Sequence, residues 1–152
     1  MVVDTVMYTI HTAFASLWVG SVLFVVAAVL PLAMSGDIAP KAFGGVVSKL
    51  QWVTRISALL MFITGGHLAG TLYTAESLTG SGQGYLVLTM LALWLGLAAV
   101  IEIGSAKAQR GVDKEKIREP AREARPFYLA AAVLAVGLLI VAGLLGTPSP
   151  LL

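Results

Sequence analysis

Three observations predict an all-α fold, a four-helix antiparallel bundle that crosses a membrane. Hydrophobic residues fill 58% of the 152 positions and charged residues only 12%, whereas a soluble domain carries about 25% charged residues to cover its surface. Four long apolar runs show no strand-like alternation. All ten Lys and Arg fall in or beside two of the three connecting segments. The mean hydropathy of +0.90 agrees, and residues 1–152 read as a single integral membrane domain.

A helix needs about 20 apolar residues to cross a hydrocarbon layer of roughly 30 Å. Segments from about Thr5 to Met34, Leu50 to Tyr73, Tyr85 to Ile103 and Phe127 to Leu145 meet that length. Lipid offers backbone groups no hydrogen-bond partner, so such runs must close their bonds internally as helices. Pro31 and Met34 mark the end of the first span, where a proline bends or finishes a helix. The loops are then Ser35 to Lys49, the glycine-bearing Thr74 to Gly84, and the charged Ser105 to Pro126.

Lys41, Lys49 and Arg55 flank the first loop, and Lys107, Arg110, Lys114, Lys116, Arg118, Arg122 and Arg125 fill the third. Loops rich in Lys and Arg stay cytoplasmic, so both termini are expected outside, with the first and third loops cytoplasmic. No positive segment precedes the first apolar run, and that run is too long for a cleaved signal peptide. The third loop accounts for most of the pI near 9.1. Its acids, Asp113, Glu115, Glu119 and Glu123, interrupt the basic run. That pattern suits a solvated helical extension or contact with anionic headgroups and excludes nucleic acid as a partner.

Comparing the chain with itself at an offset of 76, half of 152, sets Leu17, Trp18 and Gly20 over Leu93, Trp94 and Gly96. Leu68, Gly70 and Thr71 fall over Leu144, Gly146 and Thr147. Both matches join spans of the same direction, as tandem duplication of a helical hairpin requires. His11 aligns with Val87 and His67 with Gly143, so only one half carries histidine.

With no cysteine, disulfides, thiolate metal sites and Cys nucleophiles are excluded. The two histidines, His11 and His67, both lie within spans, where an ionisable side chain is costly and points to function. Each is about 10 Å from the outer end of its helix at 1.5 Å per residue. Two neutral imidazoles at matched depth suit the iron of a haem b. Phe14, Leu17 and Leu68 would supply an apolar slot, with Gly65, Gly66, Gly70, Ala15 and Gly20 giving room and Trp18 lying at its edge. Tyr8, Thr71, Tyr73, Ser77, Ser81 and Gln83 would meet the propionates in place of basic residues. Copper is the competing reading, because Met7 stands one turn from His11 and copper accepts imidazole and thioether together. Zinc would need a third ligand from Asp4 or Glu76. With no cofactor, hydroxyls and carbonyls would satisfy the two rings. Arg55 and Glu102 lie at comparable depth and pair or snorkel, Trp18 and Trp94 lie within their spans and pack there or edge a cofactor, packing being the preferred reading, and Trp52 anchors at the interface.

The first span, IHTAFASLWVGSVLFVVAAVLPLA, carries His11, Trp18, Gly20, Phe24 and Pro31, and the second carries TGGHLAGT around His67. In these two spans, about half the chain, the sequence resembles the copper-resistance D (CopD-like) membrane family. The resemblance implies four-helix membrane units associated with copper uptake, and a wider relationship to haem-binding membrane proteins such as the bacterial haem-containing protoporphyrinogen oxidases. The chain has one such unit, and the oxidase branch's Leu-Pro-Arg and Tyr-His patterns are absent. The expected function is therefore a membrane redox subunit rather than a stand-alone enzyme. Its ligands would be His11 and His67, and it would exchange electrons with a quinone or an external redox protein. Copper transport using Met7, His11 and His67 is the alternative, and a cofactor-free structural subunit of a larger complex or homo-oligomer is the third.

Overall fold

The computed structural model describes residues 2–146. Six α-helices run α1 (Val2–Phe24), α2 (Leu30–Ser35), α3 (Pro40–Leu72), α4 (Ala75–Gly80), α5 (Gly82–Val112) and α6 (Arg118–Leu145). Val25–Val29 forms a π-helical turn that joins α1 to α2. Val2–Ser35, α3, α5 and α6 are long and apolar enough to cross a membrane. The protein is an integral membrane helical bundle.

Proline explains the wide turn. Pro31 has no N–H to return to the carbonyl four residues back, and its ring crowds that carbonyl. The preceding residues take up the mismatch as a π turn, a common way to keep a helix continuous past such a defect. The first span therefore passes Pro31 and stops at Gly36, whose φ of 86° is left-handed and whose N–H closes on the Leu32 carbonyl at 3.1 Å. Pro40 then opens α3 at its first turn, where a missing N–H costs nothing.

The helices are longer than the apolar runs. The expected first loop shrinks to residues 36–39, because the amphipathic 40–49 stretch is already helix. The charged third loop shrinks to residues 113–117, with the rest of its charges on the extensions of α5 and α6. Thr74 caps α4 in a reciprocal box with Ser77, and Ser81 caps α5 by accepting from the Gly84 N–H at 3.0 Å. At 33 residues, α3 is about 50 Å long at 1.5 Å per residue, more than a bilayer's hydrocarbon requires.

Packing runs from α1 to α3, α3 to α5 and α5 to α6, and α6 closes against α1 and α2. Small residues set the α5–α6 contact: Gly96 lies under Leu134, Gly137 under Leu93 and Gly104 under Phe127. Such approach replaces the water-driven term that lipid cannot supply between helices. Ser105 and Tyr128 share a hydrogen bond of 3.1 Å inside this contact.

The core is fuller at the basic end, although α6 stays buried on one face from Pro120 to Val141. At the basic end, which holds the 36–39 and 113–117 turns, Trp18, Val22, Phe43, Val47, Leu97, Ile101, Ala108 and Ala124 are sealed. Toward the other end, which holds α4, burial on α1 begins only at Trp18, burial on α3 stops at Thr64, and α5 has no buried residue between Gly84 and Leu97.

Candidate functional site

One face of α1 carries Asp4, Met7, His11, Phe14 and Trp18, spaced by three or four residues so that they stack on one side of the helix. Three of them bond to α3. Asp4 Oδ1 meets His67 Nε2 at 3.2 Å, His11 Nδ1 meets Thr64 Oγ1 at 2.9 Å, and Trp18 Nε1 donates to Thr54 Oγ1 at 3.0 Å. The two helices are antiparallel, so these bonds form a ladder along a single seam. The histidines thus share an interface but occupy successive rungs, each imidazole held by a different residue of the opposite helix.

Thr64 fixes the state of His11. Its hydroxyl donates to the Leu60 carbonyl at 2.7 Å, so toward the imidazole it has only lone pairs to offer. His11 Nδ1 must then be the protonated nitrogen, and Nε2 carries a free lone pair. A hydrogen bond at one ring nitrogen that orients the other is how metal-bound histidines are set. The His11 ring also fills the room that a side chain at Gly65 would take, since an added Cβ there would lie 3.0 Å from Cε1. No porphyrin enters between α1 and α3 at that level; it would have to reach Nε2 from the less tightly packed end of the bundle.

His67 is tied through Nε2 to Asp4, and both side chains are partly exposed, 33% and 46%. Ligation through that nitrogen requires the Asp4 bond to open. Met7 is half-buried between the Asp4 and His11 rungs. Gly66 and Gly70 face open space, with nothing within 4 Å of an added Cβ. Trp18 is fully buried two turns toward the basic end from His11 and serves the core. Among the described residues no three His, Asp or Glu side chains gather as a metal cluster. The two imidazoles thus meet different partners, Thr64 and Asp4, on the seam between α1 and α3.

A second polar group lies toward the basic end. Glu102 of α5 accepts from Arg55 Nε at 2.8 Å, from Arg55 Nη2 at 2.9 Å and from Gln51 Nε2 at 3.1 Å. This pair was expected from matched depth, but its third member, Gln51, was not. Above it Phe62 stacks on Trp94 with ring centroids 5.7 Å apart, and Trp94 Nε1 is buried with no hydrogen-bond partner among the described residues. The offset match of Trp18 with Trp94 therefore joins residues of different roles. In the turn before α6, Glu119 bonds Lys116 at 2.8 Å and raises the pKa of that ammonium.

Thr54, Ser57 and Thr64 escaped the sequence reading, whereas Gly65 was named there as room for a cofactor and is instead filled by the His11 ring. Their signal was available: hydroxyls at positions 51 + 3 and 51 + 6 continue a row from Gln51 across the buried face of an otherwise apolar span. Compared with known families, curated proteins and solved structures, the chain shows no significant match.

Proposed function

We propose that this membrane protein binds a redox metal centre, one haem b, in the outer half of the bilayer and serves electron transfer between a quinone or an external redox protein and its partners. The single observation that carries the reading is the His11 ring, held by Thr64 with the Nε2 lone pair free. His67, one rung away, becomes the second ligand once its bond to Asp4 opens and α1 and α3 part at this level. The loosely packed α4 end provides access, and the CopD-like resemblance of the first two spans agrees. The haem supplies one-electron chemistry when bound; the chain supplies its position and surroundings. The Lys and Arg at the basic end support a cytoplasmic position for it, with both histidines nearer the opposite side.

Purified protein reconstituted with haem is expected to show a sharp Soret band and a reduced α-band of b type. A protein that takes up neither haem nor copper overturns the reading and leaves a structural subunit. Copper is the second reading, favoured by Met7 on the same face of α1 as His11, and elemental analysis of colourless protein distinguishes it.

Thr64→Val keeps the shape of the side chain and removes the acceptor for Nδ1. Metal or haem affinity is expected to fall about 10- to 100-fold, the usual cost of an outer-shell partner. Thr64→Ser should restore it. Equal affinity in all three proteins, measured by titration against absorbance, would show that Thr64 does not orient a ligand.

A further inference from the structure

We infer that α6 carries a site for one anionic phospholipid, with the phosphate clasped by Arg122 and Arg125 and the acyl chains lying along Leu129, Val133, Val136 and Ile140. Steps of three or four residues keep these six side chains on one face of the helix. All six are exposed, on the side of α6 turned away from the buried row that runs from Pro120 to Val141. An apolar stripe open to lipid therefore ends, on the same face, in two guanidinium groups. Neither is engaged within the protein. Among the described residues Lys116 pairs with Glu119 and Arg55 with Glu102, whereas Arg122 and Arg125 enter no hydrogen bond or ion pair. Glu119 is thus already held by a lysine, and Glu123, next in sequence to Arg122, points about 100° further round the helix. Arg118 extends the row by one turn but covers Gly36 at the end of α2.

Two observations put the arginine pair in the headgroup layer. Arg125 and Arg122 stand about 3 and 8 Å before Phe127, where the apolar run begins, at 1.5 Å per residue. The headgroup layer is roughly 5–8 Å deep on each side of the hydrocarbon. Pro126 supplies the second observation. It lies inside α6 and is exposed, and it has no N–H to give to the Arg122 carbonyl four residues back. A carbonyl that lacks its helical partner is costly in hydrocarbon, and water or a headgroup hydroxyl satisfies it. Backbone and side chains at this turn thus both call for the polar layer of the membrane. A phosphate diester suits the side chains, because arginine's planar fork binds it through paired N–H groups. Two unpaired cations one turn apart repel the cationic group of a zwitterionic headgroup, so the site favours a lipid of net negative charge.

The full chain in neutral detergent, titrated with phosphatidylglycerol and read by native mass spectrometry as lipid retained per protein, tests the site. Arg122→Gln together with Arg125→Gln is expected to weaken retention about 25-fold, about fivefold for each basic residue at the membrane surface. Lys41→Gln together with Lys114→Gln removes the same charge from exposed positions in the first turn of α3 and in the 113–117 turn, and should leave retention unchanged. Inorganic phosphate should not compete, because it has no chains to lie along Leu129 to Ile140. Every substitution is at an exposed position, and gel filtration checks that each variant folds; the single arginine variants, each about fivefold weaker, decide the matter if the double variant does not. Equal weakening by the two double variants would reduce the attraction to diffuse charge and overturn the site, as would unchanged retention without the arginines. Displacement by inorganic phosphate would make the row a free-anion site and overturn the lipid assignment. The site shares no residue with the histidine seam, so none of these outcomes bears on the haem and copper readings.

Discussion

His11→Ala is expected to abolish the optical centre: no Soret band in the purified variant, and no retained metal if copper is the occupant. The argument rests on the bonding pattern around one ring. Thr64 spends its hydrogen on the Leu60 carbonyl, so the imidazole keeps its own hydrogen at Nδ1 and offers Nε2 as a base. Alanine removes that base and opens the space over Gly65 that the ring had filled. The loss is thus both chemical and steric, and added imidazole should partly restore the band by occupying the space. His67→Ala should also abolish the band of a six-coordinate haem. The two variants need not behave alike with copper, because His67 begins tied to Asp4 and His11 does not. Full haem occupancy in His67→Ala would remove that residue as an axial ligand, and full occupancy in His11→Ala would remove the proposal.

The sequence disclosed the number of spans and the chemical asymmetry of their ends because both depend on composition alone. An apolar run must be helical in lipid whatever it packs against, and the basic residues sit in consecutive blocks that any register would leave at one end. Helix ends were harder. Residues 40–49 and 105–112 contain glycine and charge, which read as loop, yet both stretches continue α3 and α5 because one face of each packs on its neighbours, as Phe43, Val47 and Ala108 show. Pro31 and Met34 were expected to mark the end of the first span, and the helix does stop at Ser35; the π turn before Pro31 absorbs its missing N–H.

Within the site, depth was legible and register was not. Counting residues from the span ends put His11 and His67 at a common level; in the structure they stand on successive rungs, His11 at Thr64 and His67 at Asp4. Which side chain each ring meets depends on how α1 slides along α3, and that offset is fixed by Trp18 on Thr54 and by the close approach at Gly65. Neither contact follows from spacing within one helix. Arg55 and Glu102 were paired from depth alone because opposite charges near a membrane boundary have few other partners.

Trp18→Ala is expected to destabilise the bundle by about 3–5 kcal/mol, the range for deleting a large aromatic from a packed core. Trp18 is 0% exposed and sits where the sealed core begins on α1, so the cavity cannot be refilled from lipid or water without moving a helix. Between spans the water-driven term is absent, and packing contacts carry the association. The indole N–H adds a second loss, because its removal takes away the partner of the buried Thr54 hydroxyl. Trp18→Phe separates the two contributions: it keeps most of the ring and should cost about 1–3 kcal/mol, the scale of a buried group left unpaired. Trp94→Phe is the control. Its Nε1 has no partner to lose and its ring would still stack on Phe62, so the unfolding midpoint in mixed micelles should barely move. If Trp18→Phe were as harmless as Trp94→Phe, the Trp18–Thr54 bond would not set the register of α1 on α3. If instead it removed the haem or copper centre at unchanged stability, Trp18 would belong to the site rather than to the core beneath it.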